Sequence, residues 1–217
     1  PVVAYEILPP REKDGTLNAY AETISSLLSQ THIDAINIPE VHDETGRGER
    51  PVANQERGEP RKFGMLLQDI VGIEAIINRV VVHMPLKNQI EWIQDTHSQY
   101  EIDNLIIVGG ESSKQKYPGP TVNQSLEKIS EDNRLGKSSI LCGGICIPSR
   151  KKESKNLIKK SQFGSEFFTT QVLCDSGNVI KMIKNYQRRC DKVGTFPRRI
   201  LLSFAPVSSQ KNIDFLK

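Results

Sequence analysis

The sequence has little of several features that mark specialised classes of protein. Only 6% of its 217 residues are aromatic, and its four cysteines form neither a CxxC pair nor a disulfide-rich spacing. No apolar run approaches the ~20 residues that span a bilayer, and no signal-peptide pattern stands at the N-terminus. The net charge is only +3, from 29 basic and 26 acidic residues, which is too small an excess to indicate nucleic-acid binding. We therefore predict a soluble, cytoplasmic protein with reduced thiols that binds neither nucleic acid nor a membrane.

Short apolar runs alternate with stretches of helical periodicity along the whole chain. The predicted strands are Val2–Leu8, Ala35–Ile38, Arg79–Met84, Asn104–Val108, Ser138–Ile147, Phe167–Leu173 and Arg199–Phe204. The predicted helices are Thr16–Ser29, Phe63–Ile77, Gln89–Ser98, Asn123–Asp132, Lys152–Gln162 and Asn178–Cys190, and Lys211–Lys217 is predicted to begin another.

Seven strand–helix units predict an α/β fold with a parallel sheet covered on both faces. An open doubly wound sheet is also compatible with seven strands, but no GxGxxG motif opens a helix after a strand. We therefore predict a single domain over residues 1–217, a (β/α)8 TIM barrel whose last β/α unit is missing from this chain. The polar stretch His42–Arg61 is predicted to be a mobile surface loop.

In such a barrel, functional side chains gather at the carboxyl ends of the strands. Glu6 interrupts the apolar run Ala4–Leu8, and alternation along a strand predicts that it points into the barrel mouth. Burying a carboxylate costs several kcal/mol unless it is paired or protonated, and a protonated carboxyl in a dry pocket suits a general acid. A plain ion pair across the barrel is the alternative for Glu6.

Other polar residues near predicted strand ends have structural alternatives as well. His83 and Gln171 are candidates for the site, and each could equally serve the packing of the core. Cys142 and Cys146 are predicted to be buried small hydrophobes rather than ligands, so we predict no metal site. The basic helix Lys151–Lys160 is predicted to be a solvated face, with a phosphate or polyglutamate site as the alternative.

Several segments together resemble methylenetetrahydrofolate reductase, a barrel enzyme of one-carbon metabolism. The opening Tyr5–Arg11, with a Glu shortly before Pro-Pro and Arg, is similar to that family's first strand. Leu105–Glu111 is similar to its fourth strand, which ends in glycine and an acid. Asn156–Lys160 and Phe167–Gln171 resemble its fifth helix and sixth strand, and Ala205–Ser208 resembles its seventh strand.

The resemblance implies an oxidoreductase that interconverts 5,10-methylenetetrahydrofolate and 5-methyltetrahydrofolate, with FAD as cofactor and NADH or NADPH as electron donor. It implies that Glu6 is the general acid, that Glu111 lies near folate and flavin as a catalytic and substrate-binding residue, and that Gln171 hydrogen-bonds the pterin. The positions implied for flavin are His83, Gly109, Gly110, Asn156 and Lys160.

The sequence departs from the family on the flavin side. Gly109 stands where the family usually has an arginine, and the segment Gly143–Pro148 lacks the usual aromatic residue and glutamate. Weak flavin binding, direct use of nicotinamide, and electrons from a partner subunit all stay open, as does a homo-oligomer. The alternative functions are a folate- or corrinoid-linked methyltransferase and a catalytically silent folate-binding paralogue.

Overall fold

The computed structural model describes residues 2–41, 57–110, 115–206 and residue 210. Within these residues, seven strands alternate with six α-helices. In chain order they are β1 (Ala4–Glu6), α1 (Leu17–Leu28), β2 (Ala35–Pro39), α2 (Pro60–Val71), β3 (Glu74–Val80), α3 (Leu86–Tyr100), β4 (Asn104–Val108), α4 (Val122–Arg134), β5 (Leu141–Cys146), α5 (Glu153–Gln162), β6 (Phe167–Val172), α6 (Ser176–Val193) and β7 (Arg199–Ser203).

The seven strands form one sheet in which every neighbouring pair is parallel and the spatial order follows the chain order. This order is typical of strand–helix units that wind in one direction, since each helix returns the chain to the start of the next strand. The sheet curls into an open half-barrel. The α/β class and the parallel sheet are confirmed, whereas a closed eight-stranded barrel is not seen in the described residues.

Most predicted elements agree with the structure to within two or three residues at each end, and β4 agrees at both ends. The helix predicted over Phe63–Ile77 is wrong in its second half. Gly72 ends α2 in the left-handed conformation, with φ of 72°, and the β-branched residues that follow belong to β3. The end of α2 could have been read from the sequence, since a glycine after the last periodic residue is a common helix stop.

The predicted mobile loop is too long at its C-terminal end. Arg57 forms an isolated antiparallel bridge with Arg11, and Pro60 already begins α2. Proline fits the first turn of a helix because its missing N–H has no intrahelical partner there. Residues 42–56 of the predicted loop, and the helix predicted over Lys211–Lys217, lie outside the described residues.

The outer face of the sheet packs against the helices in two apolar clusters. Phe63 and Leu67 of α2 are completely buried, and burying one such side chain stabilises the fold by roughly 1.5–3 kcal/mol. A smaller cluster lies on the opposite, inner face of the sheet, around Ala35, Ile76 and Ile106. Within the part of the chain that the structure describes, no helix is both long and apolar enough to cross a membrane.

Candidate functional site at the carboxyl end of the sheet

Three polar side chains lie side by side on the inner face, at the carboxyl ends of β1, β2 and β3. Glu6 of β1 is the register partner of Asn37 of β2, and Asn37 is in turn the register partner of Ile76 of β3. Asn78 follows Ile76 by two residues, so its side chain lies on the same face of the sheet as that of Ile76. Because side chains alternate along a strand, all three share the face of the buried residue Ile76. We call Glu6, Asn37 and Asn78 the polar row.

The hydrogen bonds of the polar row leave two acceptors unused. Asn37 Nδ2 donates to Glu6 Oε2 over 2.9 Å, which fixes the orientation of the Asn37 amide. Asn37 Oδ1 and Asn78 Oδ1 are both buried and have no hydrogen-bond partner among the described residues. A buried acceptor without a donor costs about 1–3 kcal/mol. The pair is therefore suited to a ligand that brings N–H groups to this edge of the sheet.

Glu6 is exposed to solvent rather than buried, so the expectation of a carboxyl group in a dry pocket is wrong. The physical reason is that β1 pairs with β2 alone among the described strands, which leaves one side of Glu6 open. The carboxylate nevertheless lies at the predicted strand end and contacts the polar row through Asn37.

The last two strands of the sheet, β6 and β7, also carry polar groups near their carboxyl ends. Thr169 Oγ1 and Ser203 Oγ lie 3.2 Å apart, and Ser203 Oγ donates to Thr170 O over 2.8 Å. The pairing of β6 with β7 is irregular between Thr169 and Val172. Gln171 lies in this irregularity with an exposed side chain, and the structure shows no contact of Gln171 with the polar row.

The positions expected to hold flavin are occupied by contacts within the chain. A Cβ on Gly110 would lie only 2.2 Å from the Tyr117 ring, so Gly110 permits a close approach of that ring rather than of a ligand. The His83 ring meets Tyr117 edge to face, with 5.8 Å between centroids. His83 also lies in a short turn after β3 rather than at the end of the strand. Gly109 directly precedes Gly110, and a Cβ on Gly109 would lie 3.2 Å from the Val122 side chain.

The side chains of Asn156 and Lys160 of α5 also form hydrogen bonds within the chain. Asn156 Nδ2 donates to Glu153 Oε2 over 3.0 Å, and the Lys160 ammonium donates to the carbonyl oxygen of Ile145. Burial lowers the pKa of Lys160, an effect that Glu153 partly opposes. These residues do not fit a flavin cradle in this arrangement. Glu111, the predicted acid after β4, lies outside the described residues.

A buried arginine that the sequence reasoning missed lies behind the polar row, on the outer face of β3. Arg79 is only 3% exposed; it forms an ion pair with Glu40, and its Nε donates to Gln89 Oε1 over 2.9 Å. Its guanidinium carbon stands 4.0 Å from the centroid of the Trp92 ring. Burial lowers the pKa of Arg79, and Glu40 acts in the opposite direction. The ion pair joins the carboxyl ends of β2 and β3.

Asn78 was also missed, and the misplaced start of β3 explains why. The segment Ile76-Ile77-Asn78-Arg79-Val80 is rich in β-branched residues, which favour a strand, but the helix prediction extended over its first residues. Among the described residues, no group of three or more His, Cys, Asp or Glu side chains is arranged to hold a metal ion.

No protein-family model matches the chain, and no curated protein matches it in sequence. Solved structures do match its fold. One is an uncharacterised protein from Clostridium thermocellum that binds two copies of 5-methyl-5,6,7,8-tetrahydrofolic acid. It matches with a TM-score of 0.76 and 18% identity, over 99% of this chain and 69% of that chain.

Two further matches are more distant. Oxaloacetate acetylhydrolase matches with a TM-score of 0.57 and 8% identity, over 99% of this chain and 78% of that chain. A putative racemase from Roseobacter denitrificans matches with a TM-score of 0.55 and 11% identity, over 95% of this chain and 49% of that chain, so this chain spans about half of the racemase. At these identities the likeness shows the fold alone. The chain has a barrel-like α/β fold, and membership of the reductase family stays a prediction.

Proposed function

We propose that this chain binds a reduced folate at the carboxyl end of its sheet, with the pterin ring against the polar row. The two buried, unused acceptors Asn37 Oδ1 and Asn78 Oδ1 are the observation on which the proposal rests. A tetrahydropterin carries several N–H donors on its edge, including a 2-amino group. Hydrogen bonds from two of these donors would satisfy both acceptors and remove the cost of leaving them unpaired.

The surroundings of the polar row suit a flat ring. Ile76 and Ile106 form a buried apolar floor on the inner face, and Val108, Ile145 and Phe167 pack against it. An apolar wall with a few fixed polar groups is the usual composition of a small-molecule site. The fold likeness to a protein that binds 5-methyltetrahydrofolic acid supports the choice of ligand class.

We infer that the reaction to test first is the interconversion of 5,10-methylene- and 5-methyltetrahydrofolate, with NADH or NADPH supplying the hydride. In the reductive direction, hydride adds to the one-carbon unit, the bond from that carbon to N10 breaks, and N10 gains a proton. Glu6 is the candidate proton donor, positioned by Asn37. Because the residues expected to hold flavin are engaged within the chain, no step is assigned to flavin.

Transfer of a methyl group from 5-methyltetrahydrofolate to a second acceptor is the other candidate reaction. The engaged flavin positions favour it, since methyl transfer exchanges no electrons with a cofactor of that kind. Turnover separates the two reactions. Oxidation of NADH or NADPH that depends on methylenetetrahydrofolate supports the reductase, and its absence together with tight binding of 5-methyltetrahydrofolate supports methyl transfer.

Calorimetric titration with 5-methyltetrahydrofolate tests the binding proposal. Asn37→Leu and Asn78→Leu each remove one unpaired acceptor at similar volume. Asn37→Leu also removes the donor to Glu6, but Glu6 is exposed and water can replace that donor, so both variants should keep the fold. Each change should weaken binding about tenfold. Asn18→Leu, at an exposed position of α1, is the matched control and should bind as the wild type does. If both inner-face variants bind normally, the polar row is not the pterin site.

A further inference from the structure

Glu40 makes two hydrogen bonds to β3 at the carboxyl end of the sheet. Its main-chain N–H donates to the carbonyl oxygen of Asn78 over 3.1 Å, and its side-chain Oε2 accepts the Val80 N–H over 3.0 Å. In a longer strand the Val80 N–H would donate to a main-chain carbonyl of β2, since evenly spaced bonds of that kind join parallel strands. β2 ends at Pro39, and the Glu40 carboxylate takes the place of that carbonyl.

The other carboxylate oxygen of Glu40 is held by Arg79. The two side chains form an ion pair on the outer face of the sheet, where 13% of the Glu40 side chain and 3% of the Arg79 side chain are exposed. Arg79 is itself fixed by its hydrogen bond to Gln89 and by the Trp92 ring. One oxygen thus binds the strand and the other binds an immobilised cation, which sets the orientation of the carboxylate. We call Glu40 and Arg79 the strand clamp.

Asn78 lies between the two hydrogen bonds of Glu40. Its own carbonyl accepts the first, and the second is two residues further along β3. On the inner face, its side-chain Oδ1 is buried and accepts no hydrogen bond within the described part of the chain, so no such bond fixes that oxygen. The distance between Asn78 Oδ1 and Asn37 Oδ1 therefore depends on where the main chain of Asn78 stands, and the strand clamp holds that main chain from the outer face.

We propose that Glu40 is a positioning residue for the ligand site: held by Arg79, it fixes the end of β3 so that one flat ligand reaches both asparagine oxygens. The inference rests on the proposed function, which gives these two oxygens to the pterin. It assigns the ion pair a role in affinity beyond its role in stability. A carboxylate suits this position because its two oxygens accept from Val80 and Arg79 at the same time, whereas a glutamine has one acceptor oxygen and would turn its amide N–H groups towards a donor.

Paired replacements separate positioning from stability. The first variant, Glu40→Leu/Arg79→Met, removes both charges and the acceptor for the Val80 N–H. The second, Glu40→Gln/Arg79→Met, removes both charges and keeps one acceptor oxygen. Neither leaves a buried charge unpaired, so both should fold, which circular dichroism checks. In calorimetric titrations with 5-methyltetrahydrofolate, the first variant should bind about five- to tenfold more weakly than the wild type, and the second should regain most of that loss.

A double-mutant cycle tests whether the strand clamp acts through Asn78. Asn78→Leu should weaken binding about tenfold in the wild type but by less than about twofold in the first variant, because a contact that is already lost cannot be lost again. Lys128→Met/Asp132→Leu is the matched control. It removes an ion pair of 3.3 Å within α4, away from β2 and β3, and should bind as the wild type does.

Hydrogen exchange in the wild type gives a test that does not depend on how the variants fold. If the strand clamp and the site are linked, 5-methyltetrahydrofolate should slow the exchange of the Val80 amide. The matched reference is the Ala75 amide at the other end of β3, which also donates to a side chain, Gln68 Oε1, over 2.8 Å. Equal slowing of the two amides would contradict the linkage.

Equal affinities of the two paired variants would overturn the assignment, since the acceptor for Val80 would then make no difference. A full tenfold loss from Asn78→Leu in the first variant would overturn it too, because Glu40 and Asn78 would then act independently. Both of these outcomes leave the pterin site intact. An unchanged affinity of Asn78→Leu in the wild-type background would instead refute the pterin site, and the role of the strand clamp in binding would fall with it.

Discussion

The Asn37 side chain donates a 2.9 Å hydrogen bond to the Glu6 carboxylate across the first two strands of the sheet. This contact gives the polar row its geometry, since it uses the Asn37 N–H group and leaves the amide oxygen for a ligand. It also joins the residue proposed to move a proton to a residue proposed to bind the pterin.

Glu6→Gln should separate proton transfer from binding. Glutamine keeps an oxygen that can accept from Asn37, so the affinity for 5-methyltetrahydrofolate should stay within about threefold of the wild type. Turnover of methylenetetrahydrofolate should fall by about 10²-fold or more, which is typical of a lost general acid. Steady-state kinetics beside calorimetry measures both quantities, and undiminished turnover would remove Glu6 from the mechanism.

Arg79→Gln should be strongly destabilising. It breaks the ion pair between the buried Arg79 guanidinium and the Glu40 carboxylate, and removing one member of such a buried pair is expected to cost about 3–5 kcal/mol. Lys87→Gln is the control, because it breaks an exposed pair with Glu91 at 3.8 Å that should contribute at most about 1 kcal/mol. Urea unfolding followed by circular dichroism measures both changes, and similar small losses in the two variants would contradict a stabilising role for Arg79.

Buried thiols should make the protein less stable at alkaline pH. Burial raises the pKa of Cys146 to about 12 and also raises the pKa of Cys142 and Tyr186. In the unfolded chain a cysteine loses its proton near pH 9, so above that pH the unfolded state binds fewer protons than the native one. The free energy of unfolding should then fall by about 1.4 kcal/mol per pH unit for each such group. The lowered pKa of Lys160 acts with the opposite sign.

Two alanine variants can show whether Cys146 causes the decline in the free energy of unfolding between pH 9 and pH 12. Cys146→Ala should make the decline shallower, because it removes one of the raised groups. Cys174→Ala, at an exposed cysteine, should leave the slope as in the wild type. Urea titrations at several pH values give the comparison, and equal slopes in all three proteins would show that Cys146 does not titrate as expected.

The purified protein should be colourless. The residues expected to hold flavin are engaged with Tyr117, Glu153 and the Ile145 carbonyl, so FAD should not copurify or be taken up on reconstitution. An absorbance spectrum before and after denaturation tests this directly. A flavin band near one equivalent would show that these contacts rearrange, and it would restore the flavin-dependent reductase.

Tertiary structure alone decided which polar residues meet at the site. Glu6 and Asn37 stand at recognisable strand ends in the sequence, but their contact depends on the register of β1 against β2. Asn78 joins them because β3 begins at Glu74, two residues after the glycine that ends α2. The exposure of Glu6 and the covering of Gly110 by Tyr117 are likewise properties of packing between segments distant in the chain.

The sequence by itself determined the strand–helix alternation, the parallel sheet and the approximate bounds of almost every element. These features follow from local periodicity and from near-continuous apolar strands, which a single segment displays on its own. It could not determine which acceptors stay unpaired, which charges are buried or how far the sheet closes. Those properties depend on distances between side chains of different segments, and only the folded arrangement sets such distances.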